Sequence, residues 1–153
     1  MHSSNPSQSE DKYAQAQALH SRQVAWRSSA AMLIALTVLN AGMVIITYSR
    51  FGTWLMVSNG INLVLAVGLI QTKSWARTLT VVWEALGILL ALALAVQNGA
   101  TSDLLVTGLL QGGILLPLVG PSHKIKNIIG ILLFVSGLSI TLLAFLTQRV
   151  VVR

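Results

Sequence analysis

The chain has 153 residues, 54% of them hydrophobic and only 9% charged, too few polar side chains to clothe a soluble globule. Its net charge of +6 would suit nucleic acid, but the Lys and Arg residues are spread along the chain at the ends of apolar segments. That pattern argues against nucleic acid and for a lipid bilayer as the partner. With no cysteine, the chain can form no disulfide, thiolate metal site or cysteine nucleophile.

Residues 1–11, MHSSNPSQSED, are small and polar. They bury too little to offset the entropy of ordering and are expected to be disordered. Residues 12–27 are rich in helix formers, with Asp11 as an N-cap and Arg22 and Arg27 near the far end. This segment predicts an amphipathic helix at the headgroups, or a helical lead-in to the first span anchored by Trp26. Residues 28–149 then form the bundle, with spans over about 29–48, 53–70, 78–96, 103–119 and 128–147, each close to the roughly 20 residues that cross a hydrocarbon core.

The first span offers Ala31 and Ala35 as a small-residue contact and carries Asn40 near its centre. The link Arg50 to Thr53 is so short that the second span must return antiparallel. That second span carries Ser58, Asn59 and Asn62, the two asparagines placed to hydrogen-bond across to another helix. The following loop, Lys73-Ser74-Trp75-Ala76-Arg77, sets two cations around an indole, as a turn at the headgroups does. A glycine-containing span ending Gly-Leu-Ile, this Lys-Ser-Trp-Ala-Arg turn and a second apolar span resemble a recurrent hairpin of small, uncharacterised bacterial multi-span membrane proteins. The resemblance covers about residues 59–90. It implies a membrane fold and a bacterial source, and no activity.

Glu84, in the third span, is the only acid within an apolar stretch, where hydrocarbon offers a carboxylate no partner. Gly87, Ala91 and Ala95 recur at spacings of three and four from it, so acid and small residues share the face that lets a helix approach. The fourth segment is the shortest and contains Gln111 and Pro117, so a re-entrant loop at 104–119 is the alternative to a span. Its Gly108 and Gly112 form a G-x-x-x-G pair expected to draw in a neighbour. The fifth span carries Ser136 and Ser139 near its middle. A weak echo of the second and third spans in the fourth and fifth would put Ser136 where Glu84 stands.

The expected fold is therefore an all-α integral membrane bundle of five transmembrane helices, or four plus a re-entrant segment. Counting inward along each span sets Asn40, Asn62, Glu84, Gln111 and Ser136 at one depth, a candidate intramembrane polar site. Two readings compete. A non-enzymatic accessory or assembly subunit would act by helix association, alone as a homo-oligomer or in a larger complex, with Glu84 a packing residue. A small transporter or proton- or cation-linked channel would use Glu84 itself. No metal or cofactor site and no enzymatic motif is expected, since the histidines lie outside the apolar stretches and no nucleophile-base pair is present. Lys12, Arg22, Arg27, Lys73, Arg77, Lys124 and Lys126 fall on one side, and Arg50, Arg149 and Arg153 on the other. The bias predicts a cell-membrane (inner-membrane) protein with a cytoplasmic amino terminus.

Overall fold

The computed structural model describes residues 6–47, 52–99, 101–120 and 124–151, with side chains over 10–42, 56–97, 104–120 and 124–147, together with Gly99 and Ser102. The described residues are all-helical: α1 (Pro6–Thr47), α2 (Gly52–Ile70), α3 (Ser74–Asn98), α4 (Thr101–Leu115) and α5 (Lys124–Val151). Three stretches are long and apolar enough to cross a membrane: Glu10–Gly42, Ser74–Gln97 and Lys124–Thr147. Met56–Ile70 and Leu104–Leu115 are shorter apolar helices.

The lead-in and the first apolar segment form one helix of 42 residues, which at about 1.5 Å per residue is roughly 63 Å long. Its start at Pro6 lies inside the stretch expected to be disordered; proline suits a first helical turn, where its missing N–H is not needed. Trp26 is not a headgroup anchor but is buried in the core beside Ala25 and Ala30. Ala31 is exposed, so the small-residue contact falls on Ala30 and half-buried Ala35. The expected tight link at Arg50 and Phe51, and the terminal Arg153, lie outside the described residues.

The turn from α2 to α3 closes with Thr72 N–H donating to Leu69 O at 3.0 Å and Lys73 N–H to Gly68 O at 2.9 Å. These paired bonds cap a helix through a left-handed residue, here Thr72 at φ 57°. Gly68 makes the turn possible: a Cβ there would meet the Trp75 ring at 3.0 Å. At the far end of α3, Gly99 (φ 68°) donates to Ala95 O at 2.8 Å and turns the chain into α4. α4 runs back until Arg77, in the first turn of α3, donates from Nε to Leu118 O at 2.9 Å. The α4 helix begins earlier and ends earlier than the 103–119 expected, because Pro117 supplies no N–H to Gly113 O and the chain unwinds through a turn to Leu118.

α1 packs on α2, α2 on α3, α3 on α4 and α4 on α1, closing a ring of four. α5 lies outside it, against α4 and α1. The core gathers Trp26, Ala30, Leu33, Leu69, Ile114, Leu118 and Phe134. The close α4–α5 approach uses glycines other than those expected. A Cβ on Gly113 would come within 2.7 Å of Gly130 O, and one on Gly130 within 2.7 Å of Gly113 O and 2.9 Å of the Pro117 ring. Around Gly108 and Gly112 such a Cβ meets nothing within 4 Å. The G-x-x-x-G pair therefore does not make this contact: Gly113, about 100° further round the helix than Gly112, faces α5 together with the Pro117 ring.

Candidate intramembrane polar site

The exposed large side chains of α3 are mostly leucine and valine, and what the helix buries follows a three-four spacing. Ala76, Thr80, Glu84 and Ala95 are buried, with Gly87 and Ala91 half-buried on the same stripe. This is the face read from Glu84 through the small residues, and it turns the acid into the ring. Glu84 is 1% exposed.

It lines a cavity of about 270 Å³. Each ring helix contributes: Asn40 from α1, Ser58 and Asn62 from α2, Trp83 and Glu84 from α3, and Thr107 and Gln111 from α4, with Leu36 and Leu110 completing the wall. Four of the five expected site residues are thus brought together. Asn62 is buried and accepts a hydrogen bond from Trp83 Nε1 at 3.0 Å, tying α2 to α3 beside the acid. Gln111 reaches over α3 where Gly87 leaves room for its amide. Asn59, one turn away on α2, keeps a buried Oδ1 with no hydrogen-bond partner and does not line the cavity.

Ser136 is the fifth, and it is not there. It is exposed on α5 and donates to Leu132 O at 2.8 Å, as Ser139 donates to Val135 O. α5 lies outside the ring, so its inner face of Gly130, Phe134 and Gly137 meets α4 while its serines face outward. The echo that would pair Ser136 with Glu84 does not place the two residues alike.

The residue that sequence reasoning passed over is Trp83. Its signal was present: an indole in mid-span, away from the interfaces where tryptophan concentrates, needs a buried acceptor for its N–H.

Two oxygens in the cavity are buried without a hydrogen-bond partner, Glu84 Oε2 and Gln111 Oε1. Both can accept a hydrogen bond, and a proton on Glu84 would give the carboxyl a donor of its own. Among the described residues no group of three His, Cys, Asp or Glu could hold a metal ion. One carboxylate with neutral amide and hydroxyl oxygens matches a single positive charge, a proton or a monovalent cation, better than a multivalent metal. Comparison with family models, with curated proteins and with solved structures returned no match to this chain.

Proposed function

We propose that this is a multi-pass membrane protein of five spans, a small carrier or channel whose ring of four helices binds a proton or monovalent cation at Glu84. The observation that carries the reading is the buried Glu84 oxygen left without a donor on a polar cavity. A dry packing role predicts the opposite, with Asn40, Asn62 or Gln111 saturating the acid, because an unpaired buried acceptor costs about 1–3 kcal/mol. Five spans are supported by α4, which leaves the far end of α3 and returns to the level of Arg77. A re-entrant segment would bring both its ends to one side. The distribution of basic residues supports an amino terminus on the cytoplasmic face of the membrane.

The test is uptake into liposomes by the parent and by Glu84→Gln, with helicity and thermal unfolding measured on both. Glutamine keeps the shape and loses the charge. Proton or sodium uptake that is present in the parent and abolished in a folded Glu84→Gln is the expected result. Uptake absent from both overturns the carrier.

That outcome would leave the second reading, an accessory or assembly subunit acting by helix association. Its support is the open space over Gly60, Gly108 and Gly112, where a Cβ would meet nothing within 4 Å and another helix could approach.

A further inference from the structure

At the opposite extreme of the bundle from Gly99, the chain brings three cations to one pocket of about 520 Å³: Arg22 from α1, Arg77 from α3 and Lys124 from α5. They come from positions up to about a hundred residues apart, so the cluster is a product of the fold. Among the described residues no acid lines the pocket to neutralise them. Its apolar wall is Trp26, Pro117 and Leu118, all buried. Arg77 is held in place by the bond from its Nε to Leu118 O, which leaves its terminal amino groups to present charge. Three cations gathered in one pocket repel one another, and an anion among them relieves that repulsion.

A second pocket, of about 370 Å³, adjoins the first and shares Gln17, Ser21 and Lys124 with it. It lies between α1 and α5, and its walls include Val24, Ala25 and Ile128. Both Val24 and Ile128 are exposed apolar side chains at the start of the apolar parts of their helices. A cationic pocket that opens into an apolar groove has the shape of an amphiphile. A free phosphate would use the first and leave the second empty. Both lie at the end of the bundle where Arg77 opens α3 and Lys124 opens α5, the depth of lipid headgroups for a bundle seated in a bilayer.

We infer that this pair of pockets binds an anionic phospholipid, its phosphate among Arg22, Arg77 and Lys124 and one acyl chain along the Val24–Ile128 groove. Basic pockets between spanning helices bind such headgroups through charge-assisted hydrogen bonds, with arginine able to grip two phosphate oxygens at once. The site is separate from the Glu84 cavity and stands whether or not that cavity carries an ion.

The experiment uses the full chain purified in a neutral detergent. Binding of phosphatidylglycerol is measured by native mass spectrometry and by the rise in unfolding temperature, against phosphatidylcholine and against glycerol phosphate. The expected result is retention of phosphatidylglycerol over both. Arg22→Gln with Lys124→Gln, two exposed side chains whose loss leaves the Arg77 bond intact, lowers affinity about twenty-five-fold, at about fivefold per cation. Lys73→Gln, a cation at the same end that does not line the pocket, changes it little. Val24→Asp weakens phosphatidylglycerol through the groove. Equal binding of phosphatidylcholine overturns the inference, as does a Lys73→Gln loss as large as that of the double variant, which would mean diffuse attraction. Glycerol phosphate that competes on equal terms also overturns it, in favour of a soluble phosphate.

Discussion

Replacing Gly130 by alanine tests the packing of α5 on the ring. The added Cβ would stand 2.7 Å from Gly113 O and 2.9 Å from two carbons of the Pro117 ring, against 3.4–4 Å for ordinary contact. Neither neighbour is a flexible side chain. One is backbone and the other a ring fused to backbone, so α5 must retreat by about 0.5–0.7 Å, loosening the Phe134 and Gly137 contacts in turn; overpacking of this kind costs about 1–3 kcal/mol. Gly108→Ala meets open space, and its higher helix propensity offsets the change by up to about 1 kcal/mol. The two variants, alike in sequence terms, should therefore differ by about 2 kcal/mol, roughly thirtyfold in the unfolding equilibrium. Reversible unfolding in mixed micelles, driven by raising the fraction of denaturing detergent, measures both on one scale. Gly113→Ala repeats the Gly130 contact from the other side, so the double variant should cost less than the sum. If Gly108→Ala proves the more destabilising, the close contact runs through the G-x-x-x-G face, and the packing argued from Gly113 and Gly130 is wrong.

Thr72 holds a left-handed backbone that a β-branched residue adopts under strain, so Thr72→Gly should stabilise the α2–α3 turn by about 0.5–1 kcal/mol after glycine's extra unfolded freedom is subtracted, read from the same unfolding curves. No gain would mean that the turn is set by the Gly68 contact alone. For orientation, the chain has no cysteine of its own, so Ser74→Cys at the start of α3 and Ser102→Cys at the start of α4, past the far end of α3, give single labelling sites. An impermeant thiol reagent added outside cells should reach position 102 and not 74, and the reverse pattern would invert the assigned orientation.

The spacing along α3 made its buried face legible, because one acid and three small residues mark a stripe that no run of leucine can mark. The fourth and fifth segments were not legible in the same way. Gly108 and Gly112 share a motif with many packed helix pairs, yet which glycine meets a neighbour depends on how α4 is rotated about its axis, and the face turned to α5 is that of Gly113 and Pro117. Nor could periodicity show that four helices close a ring and the fifth lies outside it. That is a property of which helices touch, and it decides that Ser136 belongs to the outer surface while Gln111 belongs to the cavity.

A difference between kinds of polar residue follows from these placements. Serine and threonine in an apolar helix can satisfy themselves by donating to the carbonyl one turn back, as Thr37, Thr80, Ser136, Ser139, Thr141 and Thr147 all do. Such a hydroxyl costs little on any face, and its position in mid-span carries no information about direction. Asparagine, glutamine and glutamate have more hydrogen-bonding sites than their own helix can fill. They are driven inward, and Asn40, Asn62, Glu84 and Gln111 converge on one cavity. Depth along a span therefore locates a polar site only for amides and acids, and the two residues placed there by depth on the strength of a hydroxyl, Ser136 and Ser139, are the ones that face out.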